Sequence, residues 1–123
     1  MSDLLEVVPT VWYMAEVRAL ARKERDRIDR KLISLARKGW SAAVADLSVK
    51  HLRDGIYEFR ILGRGAAFRI LFFLAPGRSP RLVVLTTCAS KSVMQKKLRL
   101  DTEVERAAGR RMAWLEQQRK GGE

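Results

Sequence analysis

The sequence predicts an α+β fold: an antiparallel sheet of three to four strands, with N-terminal helices before it and a C-terminal helix after it. Three observations carry this reading. Residues 50–91 hold three consecutive apolar runs separated by turn-forming clusters. Residues 10–38 hold a charged stretch whose apolar residues recur at helical spacing, and residues 101–118 return to that spacing after the last strand. At 123 residues and 47% apolar content the chain has the size and composition of one domain, 1–123, with a tail that frays from about 119.

The elements follow in order. Leu4–Val8 is a short apolar run stopped by Pro9 and reads as an edge strand. Pro9 or Thr10 opens a helix, since proline fits a first-turn position, and Trp12, Tyr13, Glu16, Val17 and Leu20 give it a mixed face. Arg18 to Lys38 is dense in charge. Ile28, Leu32 and Leu35 mark its buried stripe, and Gly39 is the expected C-terminal cap. The charges themselves suit the solvated side of an amphipathic helix. One long helix and two helices meeting near Ala21–Lys23 are both compatible with the pattern. Trp40 to Ser48 is a connector whose apolar residues pack under the sheet, and Lys50, His51 and Arg53 form a basic entrance to the first long strand.

Ile56–Leu62, Ala67–Leu74 and Leu82–Cys88 are the strands, rich in β-branched and aromatic residues. Gly63-Arg64-Gly65 and the cluster from Ala75 to Pro80 are the turns between them. A two-residue loop at Arg64-Gly65 sets Arg60 opposite Arg69. Glu58, Arg60, Arg69 and Leu71 then share one face. Tyr57, Phe59, Ile61, Phe68, Ile70 and Phe72 share the other, the core face, where the helices are expected. Like charges directly opposite on a sheet are destabilising. Two arginines so placed make sense if an anion belongs between them, because the guanidinium fork suits phosphate. The plainer alternative is a pair of solvated strand arginines with Glu58 near one of them.

Beyond Cys88, Ser90 and Lys91 precede a basic segment with Lys96, Lys97 and Arg99. Asp101 or Thr102 starts the last helix, where Thr102 and Glu105 fit a capping box. Val104, Ala108, Met112 and Leu115 supply the stripe expected to face the core, with Arg110, Arg111, Arg119 and Lys120 on or near the other side.

A net charge of +11 despite 14 acidic residues is the profile of a chain that meets a polyanion. No run approaches transmembrane length and the N-terminus lacks a signal-like pattern, so a cytoplasmic protein without a membrane partner is expected. One cysteine and one histidine leave no disulfide, no zinc cluster and no basis for protease or esterase chemistry. Cys88 reads as a small buried hydrophobe. His51 reads as a surface or phosphate-contacting residue. No spacing points to a metal or another cofactor.

The run Leu52-Arg53-Asp54-Gly55-Ile56-Tyr57-Glu58-Phe59-Arg60, then Phe68-Arg69-Ile70-Leu71-Phe72-Phe73, then Leu82-Val83-Val84-Leu85 leading to Lys91, resembles the HigB-like, phage-derived branch of the RelE/ParE toxin superfamily. The resemblance covers about residues 10–118 in order. It implies a RelE-like fold and the toxin of a type II toxin–antitoxin pair. Members of the HigB and RelE branches are ribosome-dependent endoribonucleases that cut mRNA, and the usual partner is a small antitoxin, often a helix-turn-helix protein. Arg60 and Arg69 match the family's sheet arginines. Lys91 matches the second lysine of its lysine pair, whereas the first is Ser90 here and the preceding aromatic is replaced by Cys88.

The chemistry is coherent with those residues. The ribose 2′-oxygen attacks its own phosphate, and fixed cations stabilise the charge that builds on the phosphorane. Arg60 and Arg69 are the expected stabilisers. Lys91 is a candidate proton donor or acceptor, and Glu58 a second candidate base. Lys50, His51, Arg53, Lys96 and Lys97 are candidate RNA contacts. Two other functions share the pattern. One is a non-catalytic or degenerate module that binds nucleic acid or an acidic protein through the same basic face, which Ser90 favours. The other is a ParE-like inhibitor of DNA gyrase, which a supercoiling assay separates.

Overall fold

The computed structural model describes residues 5–46, 48–61, 67–75, 81–90 and 97–121, the last without the side chains of 97–99. The elements are β1 (Leu5–Pro9), α1 (Val11–Arg18), α2 (Arg22–Lys38), α3 (Trp40–Ala45), β2 (Val49–Arg53), β3 (Ile56–Ile61), β4 (Phe68–Leu74), β5 (Arg81–Ser90) and α4 (Lys97–Gly121). The α+β class stands. The antiparallel three- to four-stranded sheet is corrected to a five-stranded mixed sheet in the order β1-β5-β4-β3-β2. β1 runs parallel to β5, with Leu5 beside Arg81 and Pro9 beside Leu85, while the other neighbours are antiparallel.

The helical region is two helices. Thr10 caps α1: its Oγ1 accepts from the Tyr13 N–H at 3.3 Å and donates to the Leu85 carbonyl at 2.8 Å, tying the helix start to β5. At the start of α2, the Glu24 carboxylate reaches back to accept the Ala21 N–H at 3.4 Å. Gly39 ends α2 as expected. Its φ of 88° lies where a side chain is strained, and α3 begins at the next residue. Residues 40–45 are therefore helical where the sequence suggested a connector.

The basic entrance Lys50–Arg53 is itself strand β2. Its turn into β3 is Asp54-Gly55, with φ values of 54° and 73°, the positive-φ pair that a two-residue hairpin loop requires. Arg111 of α4 donates from Nη1 to the Asp54 carbonyl at 2.6 Å, so the last helix clamps this turn. A side chain at Gly55 would collide with that guanidinium.

Helices cover both faces of the sheet, not one. On the first face α1, α2 and α3 pack over Phe59, Ile61, Phe68, Ile70, Phe72, Val83 and Leu85. On the second face α4 lays Val104 and Ala107 over Ile56, Leu71, Phe73 and Val84. This second face carries Arg60 and Arg69, and α4 covers part of it where the sequence suggests no helix. The apolar residues Ile56, Leu71 and Phe73 alternate on the arginine side, and burying them requires a cover. The expected stripe of α4 is corrected accordingly. Val104 is buried, Ala108 and Leu115 pack at the margin, Ala107 joins the core, and Met112 is 69% exposed because it lies off the contact line. No helix among the described residues is long and apolar enough to cross a membrane.

Candidate active site

The Arg60–Arg69 register is as the turn chemistry suggested. Ile61 pairs with Phe68, Arg60 with Arg69, Phe59 with Ile70 and Glu58 with Leu71. Residues 62–66, where the sequence places the turn, lie outside the described residues. Side-chain alternation then puts Glu58, Arg60 and Arg69 on one face as immediate neighbours.

Between the two guanidinium groups lies a carboxylate. Glu58 is 2% exposed. Its Oε1 is 3.4 Å from Arg60 Nε, and its Oε2 accepts from Arg69 Nη1 at 3.2 Å. Burying that carboxylate without partners would be prohibitive, so it demands both cations, and the cations tolerate facing each other because it lies between them. The cluster is not neutral: two permanent cations share one anion. Arg69 is held more deeply, its side chain 17% exposed and its Nε buried with no acceptor among the described residues. Arg60 is 46% exposed. The arrangement presents one largely enclosed guanidinium and one half-exposed one on the same face, which suits holding a tetrahedral oxyanion.

The other candidates scatter. Lys50 pairs with Glu58 across β2 and β3, on the arginine face and exposed, so it stands beside the cluster. His51 pairs with Tyr57 and lies on the opposite face, its ring 4.9 Å from the Tyr57 ring. Tyr57 stacks on Phe72 at 5.5 Å, and Trp40 meets both edge-on. Arg53 sits at the far end of the hairpin, paired with Asp54 at 2.8 Å and donating to the Asp101 carbonyl at 3.3 Å, where it anchors the start of α4. Lys91 and Lys96 lie outside the described residues, and so does the Lys97 side chain. Ser90 ends β5 opposite Phe68.

A second, part-buried ion pair was not foreseen. Glu16 of α1 and Arg110 of α4 meet at 2.9 Å beyond the end of β1, where the edge of β5 is no longer covered by a strand. Glu16 accepts the Cys88 N–H at 3.2 Å, and Arg110 Nη1 donates to the Thr86 carbonyl at 2.8 Å and to Thr87 Oγ1 at 3.2 Å. These side chains supply hydrogen bonds that a neighbouring strand would otherwise make. Cys88 packs against the core, and its burial, with Glu16 and Glu24 nearby, pushes its thiol up to about 12. That state is inert, not nucleophilic. Burial likewise pushes the Tyr13 phenol upward. Among the described residues no group of three or more His, Cys, Asp and Glu is placed to hold a metal ion.

Sheet, helices and surplus cations together define a small basic α+β domain with two arginines sharing one carboxylate across a strand pair. Comparison with family models then places it. The model described as phage-derived protein Gp49-like (DUF891) matches residues 15–113. The chain belongs to that family, a RelE/toxin-like family associated with the toxins of toxin–antitoxin systems, for which an antitoxin is the expected partner. No curated protein matches the chain, and no solved structure does.

Proposed function

We propose that this protein is the HigB-like toxin of a type II toxin–antitoxin system and cleaves mRNA on the ribosome. The observation that carries the reading is the Arg60–Glu58–Arg69 cluster: two guanidiniums on neighbouring strands, 3.4 Å and 3.2 Å from one shared carboxylate, with Arg60 open to solvent.

The scissile phosphodiester takes the place in front of the two forks. The ribose 2′-oxygen attacks phosphorus and loses its proton to a base, the P–O5′ bond breaks, and the leaving 5′-oxygen takes a proton. The products are a 2′,3′-cyclic phosphate and a free 5′-hydroxyl. Arg69, the less exposed, and Arg60, half open to solvent, neutralise the extra charge of the phosphorane. Glu58 has one oxygen turned to each guanidinium, which makes it the orienting group of the pair. Lys91 is assigned one of the proton transfers, Lys50 the contact to a flanking phosphate beside Glu58, and Lys96 and Lys97 further contacts to the message. The ribosome positions the substrate, and a cognate antitoxin of the helix-turn-helix kind holds the toxin silent in the cytoplasm.

The test is cleavage of a ribosome-bound message by purified protein, with RNA ends mapped. The wild type should leave cyclic-phosphate ends, and Arg69→Ala should lose about 10²–10³-fold in rate. Intact messages with folded wild-type protein would sink the proposal. A second reading has its own support in the buried Glu58, which already fills part of the space between the arginines. On that reading the face binds RNA without cutting it, and Arg60→Ala and Arg69→Ala weaken binding while no cleavage is seen at any stage.

A further inference from the structure

Arg60 lines a second feature. Between α2 and the end of β3 lies a pocket of about 200 Å³ walled by Lys31, Ser34, Leu35, Lys38, Ser48, Phe59 and Arg60. Lys31, Ser34 and Lys38 lie at i, i+3 and i+7 on α2, one stripe of a helix. Read from sequence alone they are part of a solvated face. Folded, they share a pocket with Arg60, the residue that also borders the Glu58 cluster.

We infer that this pocket holds the RNA phosphate next to the scissile one. The inference rests on the endonuclease reading for the identity of its ligand, and it assigns Lys31, Ser34 and Lys38 a positioning role that the strand arginines do not cover.

The charge balance favours a phosphate. Three cations line the space. Lys38 is tied to the Asp46 carboxylate and donates to Ser48 Oγ at 3.2 Å. Asp46 in turn accepts the Ser48 N–H at 2.9 Å, and these bonds lower its carboxyl to about 2. Lys38 is thus held in place with its charge shared. Among the described residues Lys31 has no carboxylate partner, and Arg60 shares the single Glu58 carboxylate with Arg69, so the wall keeps a positive surplus with the Ser34 hydroxyl beside it. Leu35 and Phe59 supply an apolar backing that lowers screening of these charges. Continuity through Arg60 means an oligonucleotide strand can engage the two sites at once. A second contact of this kind fixes the register of the reacting phosphate, which is what an enzyme with few acid–base groups needs from its binding energy.

The test is a binding cycle that needs no cleavage. The probe is a 2′-O-methyl trinucleotide, which lacks the attacking hydroxyl, and its two analogues in which one phosphodiester or the other is a neutral methylphosphonate. Binding is followed by NMR titration of the purified chain. Lys31→Ala should weaken the unmodified probe by about 5-fold and reduce the salt slope by about 0.7. One methylphosphonate should weaken wild-type binding by a similar factor, and the same analogue should bind Lys31→Ala no more weakly than the unmodified probe does. Lys23→Ala, on an exposed part of α2 outside the pocket, controls for general loss of charge and should show no such coupling to either linkage. Additive losses, an effect of Lys31→Ala equal to that of Lys23→Ala, or no binding by the wild type would each overturn the inference. Cleavage without coupling would leave the endonuclease standing and remove the pocket. Coupling without cleavage would do the reverse.

Discussion

Two glutamate–arginine clusters lie at different places on one sheet, and they use the same chemistry to opposite ends. At the β5 edge, one acid meets one arginine, and every partner is internal: Glu16 takes the Cys88 N–H, Arg110 takes the Thr86 carbonyl and the Thr87 hydroxyl. On the β3–β4 pair, one acid meets two arginines, and one of those is half open to solvent. The first cluster is saturated and closes the fold. The second keeps a positive surplus where a ligand can reach it. An ion pair alone says nothing about function; the stoichiometry and the exposure of the cation do.

The comparison breaks most visibly at Arg110. Arg110→Met should cost about 3 kcal/mol of unfolding free energy in a urea titration, because it strands the largely buried Glu16 carboxylate and the Thr86 carbonyl together. The part that remains folded should bind RNA as the wild type does. If Arg110→Met instead spared stability and reduced RNA binding, the two clusters would have to exchange roles.

Glu58→Gln sharpens it at a smaller scale. Removing the shared anion leaves two guanidiniums face to face, so stability should fall by about 2 kcal/mol at low ionic strength. Added inorganic phosphate should recover much of that loss, and the variant should bind RNA more tightly. A loss that phosphate does not touch would mean the arginines open on nothing an anion can enter.

The smallest effect belongs to the Cys88 thiol, beside the Glu16 cluster. Folded Cys88 holds its proton more tightly than the unfolded chain, whose value lies near 9.0. Its contribution is therefore complete below that value and is lost as pH climbs from there through about 12. Between about pH 8 and about pH 10 the wild type should lose about 1 kcal/mol more than Cys88→Ala, measured as urea midpoints, with Tyr13 contributing equally to both. Equal losses would place the thiol in contact with water.

What could be read from the sequence divides along the same line. The β3–β4 pair was legible because turn residues and alternation are local signals, and they alone set Arg60 against Arg69. The parallel pairing of β1 was not, because a five-residue run carries no mark of a partner far along the chain. β2 was hidden by its polar residues, as edge strands often are, although Asp54-Gly55 carried a hairpin signal before Ile56. The helix on the arginine face could have been suspected from Leu71 and Phe73, which are apolar on the side assigned to solvent. Arg110 gave no signal at all: its partners come from two elements, α1 and β5, that only the folded chain brings to it. The stripe of α2 was visible, but nothing local connected Lys31 with Arg60.

The bond from Thr10 to Leu85 spans 75 residues. Closing a loop of that length costs roughly 4 kcal/mol of chain entropy before any contact repays it. The hairpin bearing the two arginines closes over a few residues, while the frame that holds it waits for more than half of the polypeptide. A chain interrupted anywhere between these two residues keeps its cations and loses the scaffold that aims them.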